Sequence, residues 1–195
     1  MFSSVSQNIK FFFLSNSLYY GGFDIVGAFL AILITEKVAG GSPAIVGYLV
    51  SYGMIIRAIL EIIISPHLRK FSWSTKQRIV TSGYLIYGVI TIMMGFSVSI
   101  AQVFFFQTII SLIDAICYPL KWSIFTKIID SNNQELEWSL EDVLSTLASA
   151  TLAALGGYLT NWYGLTVIFI FFGISYSLSG LSFYFIKMKR HQHIF

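Results

Sequence analysis

Apolar residues in this chain run in long blocks. They do not alternate in twos as in a half-buried strand, nor follow the narrow stripe of a soluble amphipathic helix. Six blocks are long enough to cross a hydrocarbon layer, falling at approximately 11–35, 42–65, 79–98, 100–127, 138–160 and 165–186. Such a layer is about 30 Å thick and takes roughly 20 helical residues to span. The connections are short or polar: EKVAGG, PHLRKFSWSTKQR, a tight turn near 97–99, IDSNNQELE and NWYG. Ser42-Pro43 marks a helix start, a capping hydroxyl followed by proline in the first turn. The block at 100–127 is over-long and holds Pro119, which predicts a tilt or kink. Lys10 followed by FFFL has the opening of a signal peptide. The apolar stretch, however, continues past Asp24 to Ile34, so a retained spanning helix is expected. The pattern predicts an all-α integral membrane fold of six helices.

Composition agrees. Of 195 residues, 56% are hydrophobic and 11% charged, against about 25% charged in a soluble domain. The single Cys117 excludes a disulfide framework and a cysteine-based metal site. His67, His191 and His193 all lie in polar flanks, so no spanning block offers a histidine for a metal or for nucleophilic catalysis. No metal, no cofactor and no enzymatic activity are expected.

The distribution of positive charge sets the topology. Lys10, Arg69, Lys70, Lys76, Arg78, Lys127, Lys187, Lys189 and Arg190 fall on the side of the N-terminus, whereas the other side has Lys37. Cytoplasmic loops accumulate Lys and Arg, so both termini are expected in the cytoplasm of a multi-pass plasma (inner) membrane protein. The basic run 69–78 is explained by topology and anionic headgroups rather than by nucleic acid.

Charges within the blocks carry the candidate chemistry. Asp24 and Asp114 lie near the middle of the first and fourth blocks, where a charge costs about 2.5–3.5 kcal/mol on insertion scales. Gln107, Ser111, Asp114, Tyr118 and Lys121 recur at spacings of four, three, four and three, one polar stripe of the fourth helix. Ser17, Tyr20, Asp24 and Gly27 form a similar stripe on the first helix, with Asn16 beside it. These polar stripes suggest cavity-lining positions for the first and fourth helices, and the uncharged third and sixth suggest peripheral ones. Each aspartate can bind a solute or proton, or can pair with Arg57 or Lys121 and fix packing. Arg57 and Glu61 sit one turn apart and can pair within their helix. Arg57 lies deeper and has an aspartate across a cavity as its other possible partner, and the pair can act as a gate or as a static clamp. Glu141 and Asp142 are read as complementing a helix N-terminus. Ser149, Ala153 and Gly157 are read as a packing stripe.

Phe11-Phe12-Phe13 and Phe104-Phe105-Phe106 open helices of opposite direction, each reaching an aspartate. This suggests two inverted three-helix repeats, about 10–98 and 99–187, as in many secondary transporters.

The segment SPAIVGYLVSYGMIIRAILEIIISPHLRKF, followed by TSGYLIYGVITIMMGF, resembles the second and third helices of the major facilitator superfamily. YPLKWSIFTKIIDSNNQELEWSLEDVLSTLASATLAALGGYLTNWYGL resembles its fourth to sixth helices, with LGGYLTNWYG similar to the family's helix-end pattern. The loop after the second helix keeps Arg69 and Lys70 but lacks the family's acidic residue, and Ser65 and Ser72 stand where its glycines would be. Phe104-Phe105-Phe106 replaces the arginine often found near the start of the fourth helix.

A typical member has twelve helices in two parallel halves. The resemblance therefore implies a half-size transporter completed by a second copy of itself, a parallel two-fold homodimer in the lipid bilayer. Alternating access would then move a small-molecule or ion substrate, with proton coupling and a preference for cations. Asp24 and Asp114 would bind solute or proton, Tyr20, Asn16, Gln107, Tyr118 and Lys121 would line the path, and Arg57 and Glu61 would gate it. The alternative is a substrate-binding subunit of a multi-component importer, like the membrane modules of energy-coupling-factor systems.

Overall fold

The computed structural model describes residues 6–130 and 133–187, with the side chain of Asp24 outside that description. Lys189, Arg190, His191 and His193 also lie outside the described residues. Among the described residues, six helices follow one another: α1 (Gln7–Glu36), α2 (Pro43–Leu68), α3 (Trp73–Met94), α4 (Ile100–Ile128), α5 (Gln134–Tyr163) and α6 (Leu165–Tyr184). Five of them are long and apolar enough to cross a membrane; α3 falls short because its first turns, up to Arg78, are polar.

Serines open four of the helices. Ser6, Ser42, Ser72 and Ser99 accept from the backbone N–H three residues on, and Gln102 completes a capping box with Ser99. The cap at Ser72 explains why α3 starts at Trp73, six residues before the apolar block at 79. A helix keeps its own hydrogen bonds and need not stop at the hydrocarbon edge. α2 likewise runs through Pro66 to Leu68, and α4 is continuous through Pro119. Gly164, at φ 81°, makes the α5–α6 turn in a left-handed conformation that side chains disfavour.

Packing follows one pattern. α1 packs on α5 and α6, α4 packs on α2 and α3, and α3 forms with α6 the most extensive interface of the bundle. A Cβ at Gly88 of α3 would collide with the Gly173 carbonyl and Ser177 Oγ, and one at Gly180 would lie 2.8 Å from the Thr81 carbonyl oxygen. The third and sixth helices were expected at the periphery, yet both are largely buried, and the least buried helices are α2 and α5. Their glycines and small polar residues explain the difference, because they let two helix backbones touch. Of the expected stripe Ser149–Ala153–Gly157, only Ser149 reaches another helix, its Oγ donating to the Tyr20 carbonyl of α1 at 3.1 Å. Ala153 and Gly157 are exposed, and α5 also meets α1 through Ala148 and Leu152 against Gly21 and through Gly156 against Ile25 and Phe29.

Polar clamps hold both ends. At one, Ala39 N–H donates to the Val98 carbonyl at 3.1 Å, tying the α1–α2 and α3–α4 turns together. At the other, Gln77 Nε2 donates to the carbonyls of Tyr184 (2.5 Å), the last residue of α6, and Ile186 (2.7 Å), just past it. Beside it, Asn8 exchanges two hydrogen bonds with the Lys187 backbone, at 2.7 and 2.9 Å. An aromatic core including Phe12, Phe125 and Phe183 lies just inside that end. The two phenylalanine triplets are not alike in burial: Phe12 and Phe13 are buried, whereas Phe105 is exposed.

Candidate functional site

The polar stripe of α4 faces inward over most of its length. Ser111, Asp114 and Lys121 are buried, and Gln107 and Tyr118 are half-buried. Lys121 is 1% exposed, so its ammonium must be compensated inside the protein. Its Nζ donates to Asn16 Oδ1 of α1 at 2.8 Å. Asn16 Nδ2 in turn donates to Glu141 Oε1 of α5, which also accepts from Ser145 Oγ at 2.8 Å. Asn16 thereby links a buried cation to a buried carboxylate across three helices. The Tyr20, Trp122 and Tyr19 rings approach Lys121 Nζ at 4.3, 4.9 and 5.0 Å, presenting the electron-rich faces that attract a cation.

Arg57, on α2, pairs with Glu61 at 3.6 Å, each side chain 30% exposed. Its guanidinium also lies 4.4 Å from the Tyr118 ring centre, and that ring is 5.7 Å from Lys121 Nζ. Tyr118 therefore separates two cations. Of the two partners open to Arg57 from sequence, the structure pairs it with Glu61. Asp114 instead accepts a 2.5 Å hydrogen bond from Tyr19 OH of α1.

Arg57 and Asp114 face a common cavity of about 330 Å³ enclosed by α1, α2, α3, α4 and α6. Gln107 and Ser111 add polar groups to its wall, and Leu49, Met54, Phe23 and Tyr87 make much of it apolar. α2 and α5 share no comparable interface with each other, so the polar faces of α1 and α4 lie between these two flanking helices. An apolar cavity with a few convergent polar groups is the usual form of a small-molecule site.

Sequence reasoning named Asp114, Asn16, Tyr20, Gln107, Tyr118, Lys121, Arg57 and Glu61. The structure joins six of them into two linked clusters, Arg57–Glu61–Tyr118 and Lys121–Asn16–Tyr20, while Asp114 bonds Tyr19 and, with Gln107, borders the cavity. Asp24 falls on α1, its side chain outside the described residues. Tyr19, Glu141 and Ser145 were missed. Glu141 is buried rather than complementing a helix end, while Asp142 beside it is exposed. A Glu–Ser pair at i, i+4 was the available signal. On α1 the polar contacts centre on Ser15, Asn16 and Tyr19, so the inward face is turned by about one residue from the stripe through Ser17 and Tyr20.

A family model described as Major Facilitator Superfamily matches residues 12–194. The chain belongs to the major facilitator superfamily. The fold of this superfamily member is similar to that of the in meso crystal structure of the POT family transporter PepTSo, with a TM-score of 0.69 at 14% identity. The match covers 91% of this chain and 37% of that one, so the chain spans little more than a third of the length of that solved relative. No curated protein matches. Membership, together with helices long and apolar enough to span, makes this a multi-pass membrane protein.

Proposed function

We propose that this protein transports small solutes by alternating access, as a six-helix unit completed by a second copy in a parallel homodimer, with proton coupling and a preference for cations. The observation that carries the reading is the cavity bordered by Asp114 and Arg57, near the middles of α4 and α2. Charges at that depth face a wet cavity or a partner, and here the cavity is present. Asp114 is the solute- or proton-binding carboxylate, with Asp24 assigned the same role. Gln107, Tyr118, Tyr20, Asn16 and Lys121 line the path, and Arg57–Glu61 is the gate.

The inverted repeat, 10–98 against 99–187, is part of the proposal. It is supported by packing that exchanges α1 with α4, since α1 holds α5 and α6 much as α4 holds α2 and α3. The open faces of α2 and α5 are the surfaces a second copy would cover. Cytoplasmic placement of both termini follows from the Lys and Arg count.

The test is uptake into proteoliposomes enclosing a pH-sensitive dye, challenged with a panel of small organic cations. Wild-type protein should accumulate at least one cation together with proton movement, and Asp114→Asn should abolish both. Equal uptake and equal pH dependence in the variant would remove Asp114 from the mechanism.

A further inference from the structure

A second cavity, of about 380 Å³, lies where α2 ends, α3 begins and α4 nears its end, and it is separate from the site described above. Arg69, Lys76, Ser65 and Ser123 are its polar lining. Lys76 is 7% exposed, and its ammonium donates to Ser123 Oγ at 3.0 Å. An ammonium has three donors, and among the described residues no carboxylate lies within 4.0 Å of this one. Lys127, one turn along α4 from Ser123, adds a repulsive charge to Lys76. The turn between α2 and α3, Arg69-Lys70-Phe71-Ser72, carries no acid.

Among the described residues, cations thus converge here without an anion, and a largely buried lysine without one is costly. The remaining wall, Pro66, Leu68, Pro119 and Leu120, is apolar. We propose that this cavity binds a phosphate group. Lysine, arginine and hydroxyl donors suit its charge and its several acceptor oxygens. Basic pockets between membrane helices bind anionic lipid headgroups, and the apolar wall suits the glycerol end of such a lipid. A soluble phosphate offers the same group.

The experiment follows thermal unfolding of the full chain in a non-ionic detergent. The probes are dioctanoyl phosphatidylglycerol, inorganic phosphate and, as a zwitterionic control, dioctanoyl phosphatidylcholine. Phosphatidylglycerol should stabilise saturably and phosphatidylcholine should not. Lys76→Met should weaken the apparent affinity about tenfold, as expected for loss of a hydrogen bond to a charged group, and Arg69→Gln should shift it in the same direction. Inorganic phosphate acting with the same dependence on Lys76 would identify a soluble source and support the same site.

Because Lys76 has no ion pair to lose among the described residues, Lys76→Met without probe should melt no lower than wild type. If it fails to fold, Arg69→Gln decides. No saturable response to either anion, or a response that neither substitution changes, overturns the proposal. The readout does not involve solute uptake, so it stands or fails apart from the transport reading.

Discussion

Lys121 and Glu141 are both buried, and Asn16 is the side chain that joins them. Removing one member of a buried charge pair costs about 3–5 kcal/mol, because the other is left uncompensated. Lys121→Met should therefore lower the melting temperature in detergent sharply, and adding Glu141→Gln should recover part of the loss. A double variant no more stable than Lys121→Met alone would show that the two charges are not coupled. Tyr19→Phe tests a second contact. It keeps the ring but removes the hydroxyl that donates to Asp114, at a cost of about 1–3 kcal/mol for the acceptor left behind.

These partners show what could be read from sequence and what could not. The Arg57–Glu61 pair was legible because i, i+4 spacing on a single helix fixes proximity. The α4 stripe was legible for the same reason. The partners of Asp114 and Lys121 were not, since they depend on how α1 is rotated against α4, and an apolar block gives little sign of that rotation. Tyr19 and Tyr20 are adjacent in sequence and both present their rings to Lys121, yet it is Tyr19 whose hydroxyl donates to Asp114.

Helices α3 and α6 are joined by close backbone contacts at glycines as well as by aromatic pairs such as Tyr87–Tyr176. Gly88→Ala places a methyl group against Gly173 and Ser177, and overpacking of this kind typically costs about 1–3 kcal/mol. Gly157→Ala meets nothing within 4 Å, and it removes a helix-interior glycine that is up to about 1 kcal/mol poorer than alanine. Melting curves should rank Gly157→Ala at or above wild type and Gly88→Ala below it. The reverse order would contradict the packing of this pair. The six apolar blocks were visible in the sequence, and their termini moved where serine caps extended a helix past the apolar edge. Which helices are central was not visible, because apolar residues facing lipid and apolar residues facing another helix read alike.

On the scale of the whole molecule, α2 and α5 are mostly exposed, and bulky side chains such as Tyr48, Ile62, Leu147 and Tyr158 stand on their outer faces. The homodimer proposal assigns these faces to a partner. The mass of the particle in lipid nanodiscs should then correspond to two copies, and Gly47→Trp, at an α2 position with nothing within 4 Å, should shift it toward one. A particle that is monomeric at every protein concentration would leave these faces to lipid alone.

The hydrogen bonds between Asn8 and the Lys187 backbone place those two positions side by side on one face of the bundle. Two units could therefore be expressed as a single tandem polypeptide with a tether that stays on that face. No added crossing would be needed, and both units would enter the bilayer pointing the same way.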